Sequence, residues 1–344
     1  MMTIAFFNNK GGVGKTSLVY HLAHMFANFD LRVLCLDLDP QSNLTSMFLS
    51  PTRLESLFQG DSRSRTILGC VEPILEGVGD YAEPIVENIT SPGGESVVES
   101  IGVGLIPGDL GLSAFEDRLS DAWPRALNRD RAALRSLAAF ARIIEDAASK
   151  WDADVALIDV GPNLGAINRA ALIGAEHVVV PLAPDLFSMQ GLRNLGPTLR
   201  TWRQGWHKIL AENPDPGFFL PAGKMEPAGY VVLQHAVRLD RPVEAYARWM
   251  RRIPAQYSQW ILEVPGYDVD DVREDPHCLS ILKNYRSLMP LAQEAREPMF
   301  ALRQADGALG AQQQAVRSCY QDFAALATAI AMACGLDIPG VARA

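Results

Sequence analysis

Short apolar runs alternate along the chain with longer stretches in which apolar residues recur every three or four positions. Thr3–Phe7 is such a run, and the polar, glycine-rich segment Asn8–Ser17 follows it. Behind that segment Leu18, Val19, Leu22, Phe26 and Phe29 recur at helical spacing, so Leu18–Phe29 is expected to be a helix with one core face. Leu31–Leu38 (LRVLCLDL) is almost continuously apolar, which marks a parallel strand buried on both faces. Further strands are expected at Val103–Pro107, Ala153–Asp159, Glu176–Leu182, Gly229–Gln234 and Cys278–Leu282. Helices are expected near Ile67–Leu75 and at Arg131–Ser149, where Leu134, Leu137, Phe140, Ile143 and Ile144 line one side. Others follow from about Ser188, interrupted by Pro197, and at Val243–Ile253 and Gln312–Cys334. Residues near 50–100, 205–228 and 255–277 lack periodicity and read as loops. This alternation predicts an α/β fold. One doubly wound, mostly parallel sheet flanked by helices would span residues 1–344 as a single domain, with right-handed crossovers.

Composition narrows the class. The 344 residues are 48% hydrophobic and 21% charged, as in an ordinary globular protein with ample core. A net charge of −9 argues against coating nucleic acid by overall charge but leaves room for a local basic patch. Cys35, Cys70, Cys278, Cys319 and Cys334 are scattered and form no CxxC. Neither a disulfide framework nor a cysteine-ligated zinc or iron–sulfur site is expected, and a reducing cytoplasm suits the chain. No apolar run approaches the roughly 18–20 residues that span a bilayer. The first strand begins at once, which leaves no room for a signal peptide, so a cytoplasmic protein without a membrane partner is expected.

The chemistry concentrates in NNKGGVGKTS, residues 8–17. Strand, glycine loop and helix follow in the order that a phosphate-binding loop needs. Gly11, Gly12 and Gly14 free the backbone to curl its N–H groups around phosphate oxygens, and the helix start adds its positive dipole end. Lys15 would reach the β- and γ-phosphates and the Thr16 hydroxyl would hold Mg²⁺. Where the pattern GxxxxGK[ST] expects its first glycine stands Asn9, and Lys10 precedes the remaining glycines. Acids close two further strands. Asp37 and Asp39 lie in DLDPQ, and Asp159 ends ADVALID, at the strand ends where α/β sheets bind ligands. His21 and His24, three apart, have no third ligand nearby and read as ordinary helix positions.

KGGVGKTS resembles the deviant Walker A motif of the ParA/MinD family of P-loop ATPases, and DLDPQ and ADVALID resemble its two acidic motifs. The resemblance covers essentially the whole chain and is diffuse after Gly205. It implies ATP held by Lys10, Gly11, Gly12, Val13, Gly14, Lys15, Thr16 and Ser17, with Mg²⁺ held by Thr16, Asp37 and Asp159. It implies that Asp39 positions or activates the attacking water, so that Lys10, Lys15 and Asp39 form the catalytic set. Lys10 would cross a homodimer interface to the partner's nucleotide, sandwiching ATP, and Ser42–Leu49 would be the switch segment. The family usually has two prolines after the second acid, where Gly161–Pro162 stand here. Tyr285–Phe300 resembles the stretch that flanks the adenine, with Tyr285 in place of the family's proline.

The same resemblance implies a switch that partitions DNA or positions a cargo, with a ParB-like or other adaptor protein stimulating hydrolysis. Nonspecific DNA binding in the ATP state is expected from two basic clusters. Leu186–Lys208 holds Arg193, Arg200, Arg203 and Lys208 and no acid, and Arg248, Arg251 and Arg252 lie at helical spacing. Three alternatives compete. A MinD-like ATPase on a membrane or protein scaffold would need a basic amphipathic terminal helix, which ACGLDIPGVARA does not offer. An iron–sulfur carrier would need interface cysteines, and a metabolic P-loop enzyme would form a product beyond ADP and phosphate.

Overall fold

The computed structural model describes residues 1–59, 65–89, 102–233, 243–285 and 287–339. The strands are β1 (Met2–Phe6), β2 (Val33–Asp37), β3 (Glu87–Ile89), β4 (Val103–Ile106), β5 (Val155–Asp159), β6 (His177–Leu182), β7 (Glu226–Leu233) and β8 (Cys278–Leu282). They form one sheet in the order β3-β4-β2-β5-β1-β6-β7-β8. Every pairing is parallel except β3 with β4. β3, inside the expected loop at 50–100, is three residues long. Its Glu87 is held by Arg53 Nη2 at 2.7 Å and Arg65 Nε at 2.8 Å. The expected end of β7 at Gln234 lies outside the described residues, as does the end of the chain from 340.

The helices are α1 (Lys15–Asn28), α2 (Asn43–Phe48), α3 (Pro51–Phe58), α4 (Ile67–Glu76), α5 (Phe115–Ala126), α6 (Arg131–Trp151), α7 (Ala166–Ile173), α8 (Leu186–Glu212), α9 (Val243–Tyr257), α10 (Met289–Ala295) and α11 (Ala311–Cys334). Because strand side chains alternate faces, β1 sends Ile4 and Phe6 to one side and Ala5 and Phe7 to the other. The first side packs against α1, α2, α10 and α11 and the second against α4 to α9, so both faces of the sheet are covered.

Two expectations change. α8 runs unbroken through Pro197 and on to Glu212, where a break and then a loop from Trp206 were expected. Trp206 explains the extension. It is fully buried and donates Nε1–H to the Pro221 carbonyl at 2.8 Å, so the segment after α8 folds back over the helix and makes it a core element. Residues 258–277 are likewise not wholly loop: a π-helical turn at Ser258–Leu262 lies against α8.

Candidate nucleotide-binding site

β1 and β5 are paired so that Phe6 stands beside Asp159, and β2 and β5 so that Asp37 stands beside Asp159. The loop after β1 therefore opens directly over two acids on neighbouring strands. Gly12 (φ +72°) and Gly14 (φ +89°) are left-handed, and Gly14 is the residue before α1. That curl turns backbone N–H groups toward one point above the helix start. Asn8 fixes the loop's near end: its amide donates to the Pro181 carbonyl at 2.6 Å and its Oδ1 accepts from Lys10 N at 3.0 Å.

Lys15 is buried, with Nζ 3.8 Å from Asp159 Oδ1. Asp37 and Asp159 are completely buried. Asp37 Oδ2 accepts from the Thr45 backbone N at 2.8 Å and hydroxyl at 2.7 Å, while its Oδ1 has no partner. Neither oxygen of Asp159 accepts a hydrogen bond of full geometry, although the Thr16 hydroxyl lies close enough to favour its carboxylate. Burial pushes the Asp37 carboxyl well above its ordinary range, and the charge of Asp159 adds to this. Burial raises Asp159 too, with Lys15 and then Thr16 pulling it back. Buried carboxylate oxygens without partners cost several kcal/mol each. Such a site is built to receive positive charge.

The donor set fits Mg²⁺. Among the described residues no three His, Cys, Asp or Glu side chains converge into a metal cage. Two hard carboxylates and a hydroxyl beside a phosphate cradle match the way this ion is bound, through one or two acids plus substrate phosphates.

Asp39 is buried two residues past the end of β2, and its Oδ1 accepts from Gln41 N at 3.0 Å. A Cβ on Gly161 would come 3.3 Å from that oxygen, so the glycine after the second acid lets the two loops close together. Lys10 is bound within its own chain. Its Nζ hydrogen-bonds Asp185 Oδ2, while Asp185 Oδ1 accepts from Ser188 N at 2.9 Å and caps α8. Burial alone would raise Asp185, but Lys10 and the cap outweigh it and hold the carboxyl below its usual range.

Sequence reasoning missed Thr45, Gly108 and Asp185. The Thr45 hydroxyl donates to Asp37 and accepts from Gly108 N at 2.8 Å. A Cβ on Gly108 would sit 2.9 Å from Asp37 Cγ and from Ser42 Oγ. A glycine directly after a strand was the available signal for that close approach.

Beside the loop, a largely apolar cavity of about 140 Å³ continues away from the acids. Val13, Gly14 and Ser17 line it, together with Leu282, Tyr285 and Met299 from the last part of the chain. The stretch expected to flank a base thus lies against the phosphate loop. Its neighbour Arg286 lies outside the described residues.

The basic residues divide. Arg193, Lys208, Arg248, Arg251 and Arg252 are exposed, with Arg248 and Arg252 over the Trp249 ring at 5.2 and 5.4 Å. Arg193 lies over the Trp260 ring at 5.4 Å. Arg200 and Arg203 do not share this free face. Arg200 bonds Glu263 Oε1 at 2.8 Å and the Trp260 carbonyl at 3.0 Å, and the half-buried Arg203 bonds the Met225 carbonyl. Their spacing holds, but the segments after α8 and α9 claim both side chains. His21 is buried and His24 half-buried on α1.

Residues 1–211 match the family described as AAA domain. The chromosome-partitioning ATPase Soj of Thermus thermophilus is 32% identical over 208 residues, 60% of this chain and 65% of that one. A ParA family protein of Chlamydia trachomatis is 31% identical over 197 residues, 57% of this chain and 64% of that one. Across curated relatives of this kind the matched share of their own length runs from 42% to 65%. A crystal structure of a Corynebacterium diphtheriae protein superposes with a TM-score of 0.71 at 25% identity, covering 97% of this chain and 98% of that one. Loop, acids, sheet order and relatives agree, and the chain belongs to the AAA-domain family as a ParA-type protein with a deviant Walker A motif.

Proposed function

We propose that this chain is an ATP-dependent dimerising switch that hydrolyses ATP slowly to ADP and phosphate in partitioning DNA or positioning a cargo. One observation carries the reading: buried carboxylate oxygens of Asp37 and Asp159 lack hydrogen-bond partners, and Lys15 stands 3.8 Å from Asp159 after a loop curled by two left-handed glycines. Lys15 would bind the β- and γ-phosphates, with the backbone from Gly11 to Ser17 around them. Thr16, Asp37 and Asp159 would hold Mg²⁺, which when bound neutralises charge at the phosphates. Asp39, fixed by Gln41 N–H, would orient the attacking water. Lys10 would leave Asp185 and reach across a homodimer to the partner's nucleotide. The exposed cations Arg193, Lys208, Arg248, Arg251 and Arg252 would bind DNA phosphates without sequence preference. Doubling in the dimer would bring their number to what binding needs. An adaptor protein of the ParB kind would trigger hydrolysis, and the switch would act in the cytoplasm on the nucleoid.

Lys15→Ala tests the core of this. It removes the cation beside Asp159, and Mg·ATP affinity measured by calorimetry should fall at least about 100-fold, the cost of unpairing buried charge. A folded Lys15→Ala protein that binds ATP as the natural chain does would refute the site.

A further inference from the structure

One buried side chain ties the start of α1 to a segment almost 280 positions away. His21 has Nδ1 2.7 Å from the Ser17 carbonyl oxygen, one turn back in α1. Its Nε2 lies 3.1 Å from the Met299 backbone nitrogen. A backbone N–H can only donate, so Nε2 is the acceptor. The ring proton therefore sits on Nδ1, where it donates to Ser17. Both ring nitrogens are used, and the tautomer has no freedom. Burial pushes the imidazole down to about 4, so the ring is neutral at pH 7 and the Met299 bond persists. The ring plane is fixed as well. Phe323 stacks on it at 5.0 Å and 25°, and Phe300 meets it edge-on at 5.9 Å and 66°.

The two ends of this bridge matter because of what they line. Ser17 and Met299 both line the cavity beside the phosphate loop, whereas His21 itself does not. Two lining residues from distant parts of the chain are thus tied together through a rigid five-membered ring. We propose that His21 is a positioning residue for the base end of the nucleotide pocket, holding the Met299 segment at a fixed distance from α1 so that the apolar slot is preformed for a purine ring. The inference rests on the nucleotide reading above and adds to it the residue that organises the half of the pocket remote from the phosphates.

Replacement at His21 separates the two arms. Glutamine can place its amide oxygen where Nε2 stands and accept from Met299 N–H. Asparagine reaches only as far as Nδ1 and keeps the Ser17 arm alone. Calorimetric titration of the natural chain and of His21→Ala, His21→Asn and His21→Gln would use two probes, Mg·ATP and Mg·tripolyphosphate. We expect His21→Ala and His21→Asn to lose about tenfold in ATP affinity, as for one buried hydrogen bond, with tripolyphosphate affinity unchanged within about twofold. His21→Gln should recover most of the loss. Equal losses for both probes, or a glutamine variant no better than alanine, would overturn the role of His21 while leaving the nucleotide site in place. A natural chain that binds neither probe would overturn the nucleotide reading, and this inference with it.

Discussion

The two ends of the cleft are built in opposite ways. At the phosphate end the groups are charged and buried: Asp37 and Asp159, whose carboxylates are short of partners, end β2 and β5, and Lys15 opens α1. At the base end the walls are largely apolar, and residues such as Leu282, Tyr285 and Met299 come from the last quarter of the chain. The first end stores unmet electrostatic demand, and the second offers shape. A ligand satisfying both must carry multiple negative charge at one end and a flat apolar body at the other. The difference also shows how each end can fail. Phosphate-end changes should alter chemistry and ion dependence, while base-end changes should alter selectivity and stability.

The largest expected effect probes the rim of the phosphate end. Asp39→Ala leaves Lys15, Asp37 and Asp159 in place, so ATP affinity should stay within about twofold. Turnover should fall about 10²–10⁴-fold, the usual worth of a group that handles the attacking water's proton. The protein should then accumulate as an ATP-bound dimer in sedimentation. Turnover at the natural rate would remove Asp39 from the catalytic set.

The base end should respond to acid instead. The His21 imidazole titrates near 6.5 when unfolded and at about 4 when folded. Below pH 6.5 the unfolded chain takes up a proton that the native chain refuses. The stability is therefore complete above pH 6.5 and drains as pH falls toward 4. The loss amounts to about 3 kcal/mol. Urea unfolding of the natural chain against His21→Gln from pH 7.5 to 4.5 isolates it, because the variant lacks the titrating ring. Parallel curves would show that the ring is not the acid-sensitive element.

A smaller change should sharpen the phosphate end. Thr45→Val removes the hydroxyl that links Asp37 to Gly108 N and leaves the carboxylate one donor fewer, at a cost of about 1–3 kcal/mol. Half-saturation by Mg²⁺ should move to roughly five- to tenfold higher concentration, read by ATP turnover against Mg²⁺. No shift would place Asp37 outside the ion's reach.

The mildest effect lies away from both ends. Replacing Arg248, Arg251 and Arg252 with Gln should leave ATP binding intact and flatten the log–log salt dependence of DNA binding by up to about 2.7, near 0.9 per contact. Replacing Arg200 and Arg203 should chiefly lower the melting temperature, since their partners are Glu263 and the carbonyls of Trp260 and Met225. Absence of DNA binding by the ATP-loaded natural chain at low salt would exclude DNA as the track.

The phosphate end was legible because its parts are local. A strand, a glycine loop and a helix lie within 28 residues, and two acids each close an apolar run. The base end was not, because His21 reads as one more helix position until Met299 is brought beside it. α8 misled for a related reason. Pro197 and the Pro- and Gly-rich stretch after Trp206 look like breaks, and only the buried Trp206 indole bonded to the Pro221 carbonyl makes the helix continuous. α3 carried a usable signal. Ser50 caps it by accepting from Arg53 N at 3.1 Å, and Pro51 stands at its first turn, a serine–proline start that marks helices. β3 carried none, since three residues pairing at an edge leave no period to read.

That edge has a colloidal consequence. An open strand end is where sheets of different molecules fuse, and concentrated solutions of α/β proteins are exposed to it. Here the described part of the edge strand β3 is three residues, runs antiparallel to β4, and carries Glu87 clamped by Arg53 and Arg65. A foreign strand would have to dislodge two guanidinium groups to gain a handful of backbone bonds. Fibrillar self-assembly at that border is therefore disfavoured, and Arg53→Ala with Arg65→Ala should make the protein more prone to form light-scattering aggregates on storage.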